Sequence, residues 1–88
     1  MLVGITGHRG VLGSIIKQQL SDLHIPYIVF QGDVTKPEDI DQWLQDQRMT
    51  HIIHLAALVA VDSVNKNFAK AILTNVQGSV NVIEAVQR

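Results

Sequence analysis

The chain has 88 residues, 47% hydrophobic and 17% charged, which allows one small domain with a modest core. A formal net charge of −1 gives no bulk electrostatic basis for nucleic-acid binding, and the absence of cysteine excludes disulfides and cysteine-based metal sites. No apolar run approaches the roughly 18 residues of a membrane span, and the first residues lack the pattern of a signal peptide, so we expect a cytoplasmic protein.

The first predicted elements are a strand, a glycine-rich turn and a helix. Residues 2–6 form a short apolar run that is typical of a buried strand. Residues 11–24 carry apolar side chains at helical spacing on one face, namely Leu12, Ile16, Leu20 and Leu23. Because Pro26 disfavours helix at the residue before it, we expect this helix to stop there.

Three glycines separate the predicted strand from the predicted helix, in the pattern G-x-x-G-x-x-G. Gly7 allows a sharp turn with positive φ, Gly10 allows the main chain to approach a pyrophosphate, and Gly13 allows close packing of the helix. The N-terminus of a helix also offers N–H groups to phosphates. The pattern therefore indicates the front of a dinucleotide-binding βαβ unit.

The rest of the chain alternates strand and helix. Residues 27–30 and 51–55 are apolar runs that predict two further strands. Between them we expect a helix ending near Gln47, capped by Thr35 in a capping box with Glu38. Its predicted apolar face consists of Ile40, Trp43 and Leu44. The sequence of residues 58–66 is compatible with either a loop or a helical turn.

A long final helix is expected over residues 67–87. Its apolar residues step by three or four, at Ala69, Ile72, Val76, Val80, Ile83 and Val86. Gly78 lies in the middle of this helix, where glycine costs about 1 kcal/mol relative to alanine, so we expect a close packing contact there.

This element order predicts an α/β fold that covers residues 1–88. Right-handed crossovers give a three-stranded parallel sheet with helices on both faces, which is a partial Rossmann fold. We expect the third strand on the opposite side of the first from the second, in the order 2-1-3. The switch in strand order then lies beside the glycine turn, where a ligand would bind.

Two residues bear on the choice between NAD and NADP. An acidic residue at the end of the second strand usually holds the adenine ribose of NAD, but this position falls on neutral Gln31. Arg9 in the glycine turn is placed to meet a 2′-phosphate, although a solvated loop arginine is the alternative. We expect NAD or NADP, with a slight preference for NADP.

The turn Thr6-Gly7-x-x-Gly10-x-x-Gly13 resembles the cofactor loop of the extended short-chain dehydrogenase/reductases, the NAD-dependent epimerase/dehydratase family. Gly7-His8-Arg9-Gly10 followed by Val11-Leu12-Gly13-Ser14 is similar to the loop of GDP-fucose synthases in that family. The resemblance implies cofactor contacts along this stretch, at Gly7, Arg9, Gly10, Val11, Leu12 and Gly13.

Three later motifs extend the resemblance. Gly32-Asp33-Val34 resembles the family's adenine contact, in which Asp33 would accept from the exocyclic amine; a turn residue before a helix is the alternative. His54-Leu55-Ala56-Ala57 is similar to the family's His-Leu-Ala-Ala, which implies cofactor contacts by the main chain of Leu55, Ala56 and Ala57. A lone histidine such as His54 is more often structural and hydrogen-bonded than catalytic, so we expect a structural role for it. The run from Asn75 to Ala85 resembles a family helix whose asparagine supports the site through hydrogen bonds.

The family's catalytic Tyr-x-x-x-Lys is missing from these residues. Tyr27 is the single tyrosine, and position 31 is glutamine where the motif requires lysine. The resemblance therefore implies the NAD(P)-binding part of a nucleotide-sugar epimerase, dehydratase or reductase that is inactive alone. The alternative is a non-catalytic module that binds a dinucleotide or a partner protein.

An apolar third strand at the sheet edge invites pairing. We expect a homodimer, or association with a separate catalytic half, through this edge and the final helix.

Overall fold

The computed structural model describes residues 1–56 and 73–87. The strands are β1 (Val3–Thr6), β2 (Tyr27–Val29) and β3 (His51–His54). The helices are α1 (Val11–Asp22), α2 (Pro37–Asp46) and α3 (Gly78–Gln87), the last preceded by a π-helical turn, Leu73–Gln77. The expectations for residues 58–66, for the first turns of the final helix and for Ala57 lie outside the described residues.

The three strands form one parallel sheet of order β2-β1-β3, which confirms the predicted topology. Val3 is in register with Tyr27 on one side and with His51 on the other. Because the two connections lead to opposite sides of β1, right-handed crossovers place α1 and α2 on opposite faces. All three strands end at the same edge of the sheet, beside the glycine turn.

The main core lies between the sheet, α2 and α3. Its buried members are Phe30, Val34, Ile40, Trp43, Val82 and Ala85. The rings of Phe30 and Trp43 lie 5.0 Å apart at 46°. Ile40 and Trp43 are buried and Leu44 is half-buried, which confirms the predicted apolar face of α2.

Helix α1 ends two residues earlier than predicted, at Asp22, because the chain forms a Schellman turn. His24 has φ of 58°, and its N–H bonds to the Ser21 carbonyl at 3.1 Å. The N–H of Ile25 bonds to the Leu20 carbonyl at 2.9 Å. Histidine thus occupies the left-handed position that glycine usually takes.

The predicted capping box of α2 is wrong. The residue preceding the helix is Lys36, which makes no side-chain cap bond, and Pro37 is the first helical residue. Thr35 is instead held by Asp33, whose carboxylate accepts from the main-chain N–H of Thr35 at 2.9 Å and from its hydroxyl at 2.7 Å. The aspartate forms a local turn, and this takes the hydroxyl that would have capped the helix.

The face that α3 buries is not the apolar stripe that the sequence predicts. The buried residues are Gly78, Asn81, Val82 and Ala85, whereas the stripe residues Val76, Val80, Ile83 and Val86 are exposed. Gly78 makes the expected close contact, because a Cβ there would lie 2.7 Å from Val34 Cγ2. On α1, too, Leu12 and Leu23 at the ends of the predicted face are exposed.

Candidate functional site

A cleft of about 440 Å³ opens where the strands end, between the glycine turn and the turn that follows β2. It is lined by Gly7, His8, Arg9, Phe30, Gln31, Gly32, Asp33, Val34 and Ala56. Residues from three separate sequence motifs therefore meet at the predicted switch point of the sheet.

Gly7 and Gly13 are held in close main-chain contacts. Gly7 has φ of 72°, and a Cβ there would lie 2.5 Å from the carbonyl carbon of Leu55. A Cβ on Gly13 would lie 2.5 Å from the Gly7 carbonyl oxygen. These contacts bring the start of α1 and the end of β3 together around the turn, as the sequence pattern requires.

Gly10 differs from the other two glycines. A Cβ at this position would approach only the Gly7 carbonyl oxygen, at 3.7 Å, so packing within the described chain does not require glycine. Gly10 precedes the first residue of α1 and makes no side-chain cap. The first N–H groups of α1 have no acceptor within the helix. Val11 and Leu12 at this end are 82% and 57% exposed and lie outside the lining of the cleft.

The turn after β2 forms the opposite wall. Gln31 is exposed and lines the cleft, as does Asp33. The Asp33 carboxylate accepts two bonds from Thr35, and the Asp33 N–H donates to the Asp39 carboxylate at 3.0 Å. Asp33 is therefore a turn residue that also lines the cleft. Its role in the turn is compatible with the predicted contact to the adenine.

Cationic side chains surround the glycine turn. Lys17 Nζ lies 3.2 Å from His8 Nδ1, and because an ammonium can only donate, Nδ1 is the acceptor. Partial burial and the charges of Lys17 and Arg9 lower the pKa of His8. His8 is consequently neutral at pH 7, and the positive charge at this end of the cleft comes from Arg9 and Lys17.

His54 joins β1, β3 and α3 beneath the cleft. Its Nδ1 lies 2.5 Å from Thr6 Oγ1, and its Nε2 lies 3.0 Å from Ser79 Oγ. Burial lowers the pKa of His54. The expected structural, hydrogen-bonded role is what the contacts show. Ala56 lines the cleft, while Leu55 packs its main chain against Gly7.

Two asparagines flank the site on the α3 side. Asn75 lies in the π-helical turn, outside the lining of the cleft, and its carbonyl accepts from the Ser79 hydroxyl at 2.8 Å. Asn81 is 4% exposed and donates to the Val34 carbonyl at 2.9 Å. Asn81 has no role predicted from the sequence, because the apolar stripe of Val76, Val80 and Ile83 indicates a different buried face from the one on which Asn81 lies.

No helix in the described part of the chain is long and apolar enough to cross a membrane. Residues 1–56 and 73–87 also contain no group of three or more side chains arranged to hold a metal ion.

A parallel sheet with a glycine turn after its central strand and a cleft at its carboxyl edge defines a Rossmann-type nucleotide-binding unit. The family model described as the RmlD substrate binding domain matches residues 1–88. The chain belongs to this family, and its structural neighbours are the N-terminal regions of NAD(P)-dependent epimerases and reductases.

Three solved structures illustrate the similarity. The dTDP-4-dehydrorhamnose reductase of Bacillus anthracis, in complex with NADP, is 32% identical with a TM-score of 0.87, over 98% of this chain and 32% of that chain. The dTDP-4-dehydrorhamnose reductase of Clostridium acetobutylicum is 27% identical with a TM-score of 0.88, over 99% and 32% of the two chains. The UDP-glucose 4-epimerase of Thermus thermophilus, in complex with NAD, shares the fold at 24% identity and a TM-score of 0.91, over 99% and 34%.

The chain thus spans about a third of the length of the structures that it matches. No curated protein sequence matches it significantly.

Proposed function

We propose that the chain binds NAD or NADP in the cleft between the glycine turn and the Asp33 turn, as the cofactor-binding part of an enzyme that acts on nucleotide sugars. The observation that carries this proposal is the meeting of the glycine turn, Gln31, Asp33 and Ala56 around one cleft. Family membership supports it, as do similar structures that were solved with NAD or with NADP.

The residues present fit a dinucleotide. Gly10 leaves open space where a main chain must come close to a pyrophosphate, and α1 begins directly after it. We assign pyrophosphate contacts to the main chain of residues 7–13, including Val11 and Leu12, and a nicotinamide-side contact to Ala56. Asp33 and Val34 are assigned to the adenine. When bound, the nicotinamide group would supply hydride transfer.

Arg9 and Gln31 support a slight preference for NADP within this proposal. Both line the cleft, and neither would repel a 2′-phosphate. Lys17 adds a second positive charge beside the same turn, since it lies 3.2 Å from His8. An acidic residue at position 31 would have favoured the ribose hydroxyls of NAD.

Catalysis is assigned to residues beyond these 88. The sequence contains no Tyr-x-x-x-Lys. The nucleotide-sugar substrate is proposed from the similar structures, which are an epimerase of UDP-glucose and reductases of dTDP-4-dehydrorhamnose. No observation favours the alternative of a non-catalytic module.

Calorimetric titration of the chain with NADP and with NAD tests the proposal. We expect binding of at least one, and loss of binding in Gly10→Ala and Gly10→Val. Because a Cβ at Gly10 meets no close neighbour, Gly10→Ala should keep its fold, and thermal unfolding checks this. Arg9→Ala should weaken NADP more than NAD, while Arg48→Ala, at an exposed arginine outside the cleft, should change neither. A folded wild-type chain that binds neither dinucleotide would contradict the proposal.

Association with a second chain is also part of the proposal. Four apolar side chains of the α3 region, Val76, Val80, Ile83 and Val86, are 39–59% exposed. Burying them against a second copy or a catalytic half would remove this surface from water. Light scattering that shows a monodisperse monomer at high concentration would contradict the homodimer.

A further inference from the structure

The hydroxyl of Thr6 organises the floor of the cleft. Thr6 is fully buried at the end of β1, with an exposed fraction of 0%. Its Oγ1 accepts from the N–H groups of Leu55 at 3.0 Å and Ala56 at 3.2 Å. These are the two residues that follow β3, and Ala56 lines the cleft. The Leu55 N–H is shared with the main-chain carbonyl of Thr6, also at 3.0 Å, whereas the Ala56 N–H bonds to the hydroxyl. The Thr6 hydroxyl therefore helps to set the direction in which the chain leaves β3, chiefly through Ala56.

The hydrogen bonds around His54 have a single consistent direction. The Asn75 carbonyl can only accept, so the hydroxyl proton of Ser79 goes to it, and Ser79 Oγ must accept from His54 Nε2. The neutral imidazole thus carries its proton on Nε2, and Nδ1 is an acceptor. Thr6 donates to Nδ1, which leaves the Thr6 oxygen free to accept the two main-chain N–H groups.

A second proton on His54 is incompatible with this arrangement. It would place an N–H donor on Nδ1, facing an oxygen that already accepts two bonds. The Thr6 hydroxyl proton would then lose its acceptor in a fully buried position, which is costly.

We propose that neutral His54 is a positioning residue, which holds Thr6 so that Leu55 packs against Gly7 and Ala56 lines the cleft, and that its protonation weakens dinucleotide binding. The effect on dinucleotide binding rests on the proposed function. Linkage makes the effect reciprocal, so that a bound dinucleotide disfavours the protonated imidazole.

Within residues 1–56 and 73–87, no other titratable side chain is hydrogen-bonded to the His54 imidazole. From β1 and α3, the side chains that contact it are Thr6 and Ser79, which do not ionise in this range. Glu84 is the charged residue of α3 and is exposed, and His51 lies exposed at the opposite end of β3. The titratable and charged groups of the cleft are His8, Arg9 and Asp33, with Lys17 beside His8.

The test measures NAD affinity from about pH 5 to about pH 8, the range in which histidine titrates. NAD is the probe because the 2′-phosphate of NADP would itself titrate near about pH 6. We expect the affinity to fall at least about tenfold on acidification, with the midpoint at the His54 pKa measured by NMR. His54→Asn keeps an acceptor for Thr6 without a titrating group and should abolish that midpoint. His8→Asn should leave it in place.

Two variants of Thr6 separate the hydroxyl from the methyl group. Thr6→Ser keeps the hydroxyl and should bind NAD within about threefold of wild type at pH 8, whereas Thr6→Val should lose about tenfold or more. If Thr6→Val fails to fold, the serine variant and the pH profile of His54→Asn still decide the matter.

Nitrogen-15 NMR of the imidazole gives a readout that needs no ligand. We expect the proton on Nε2, and main-chain amide signals of Leu55 and Ala56 that shift with the His54 titration. A proton on Nδ1, silent amides, or bound NAD with a pH profile unchanged in His54→Asn would overturn the inference. Failure to bind either NAD or NADP at every pH, with the amides following His54, would overturn the proposed function and the coupling while the positioning role stands.

Discussion

The side-chain amide of Asn81 on α3 donates a 2.9 Å hydrogen bond to the main-chain carbonyl of Val34, in the turn that carries Asp33. Asn81 also accepts from Gln77 Nε2 at 2.7 Å. Beside it, Val34 fills the space that the missing side chain of Gly78 leaves. The final helix therefore fixes one wall of a cleft that it does not line.

Asn81→Ala should destabilise the chain by about 1–3 kcal/mol, because the Val34 carbonyl loses its side-chain donor at a buried position. Urea unfolding followed by the fluorescence of Trp43, the single tryptophan, measures the loss. Gln77→Ala is the matched control, since Gln77 is exposed and its removal leaves the bond to Val34 in place. Equal losses in the two variants would show that the Val34 bond is not the important one.

Gly7→Ala should cost about 2 kcal/mol or more, because alanine would be strained at φ of 72° and its Cβ would overlap the main chain of Leu55. The control is Gly10→Ala, which should change the free energy of unfolding by less than about 0.5 kcal/mol. Chemical denaturation of both variants decides the matter. Similar stability for the two would mean that the turn rearranges without cost.

Gln31→Glu should weaken NADP binding about tenfold while leaving NAD binding equal or tighter, since the new carboxylate would repel a 2′-phosphate and can accept from ribose hydroxyls. Calorimetry with both ligands gives the ratio of affinities. Gln45→Glu makes the same charge change on an exposed residue of α2 outside the cleft and should leave the ratio unchanged. An unchanged ratio in Gln31→Glu would show that residue 31 does not determine the choice between NAD and NADP.

Stability should fall when the solution is acidified below the ordinary histidine pKa of 6.5. Folding lowers the pKa of both His8 and His54, so the unfolded chain binds more protons than the folded chain in this range. The free energy of unfolding therefore falls as the pH is lowered. The stability that the two neutral histidines contribute is fully present above pH 6.5 and is lost as the pH falls toward their pKa values in the folded chain.

Thermal unfolding at several pH values measures this loss. His54→Asn and His8→Asn should each flatten the pH dependence. His24→Asn is the control, because His24 is exposed and asparagine tolerates its positive φ. A pH dependence as steep in the double variant as in wild type would place its origin elsewhere in the chain.

The sequence was informative wherever a local rule had no competitor. The glycine spacing at Gly7 and Gly13 and the apolar runs of three strands were enough to predict a parallel sheet with a glycine turn at its ligand-binding edge. The capping box failed at Thr35 because Asp33, two residues earlier, competes for the same hydroxyl, and sequence alone does not rank the two bonds.

Long-range contacts were the part that sequence could not supply. The buried face of α3 follows Asn81 rather than the apolar stripe, because Gly78 and Val34 decide how closely the helix approaches. The role of Thr6 depends on residues about fifty positions away, and no periodicity links a strand-end hydroxyl to the main chain of Leu55.

The central position of β1 also constrains the order in which the chain can fold. β1 is synthesised first, yet its register partners Tyr27 and His51 come much later in the chain. During translation the four residues of β1, all buried in the folded chain, wait for both neighbours. Such non-local pairing slows folding and leaves an apolar strand open to misassembly until β3 has been made.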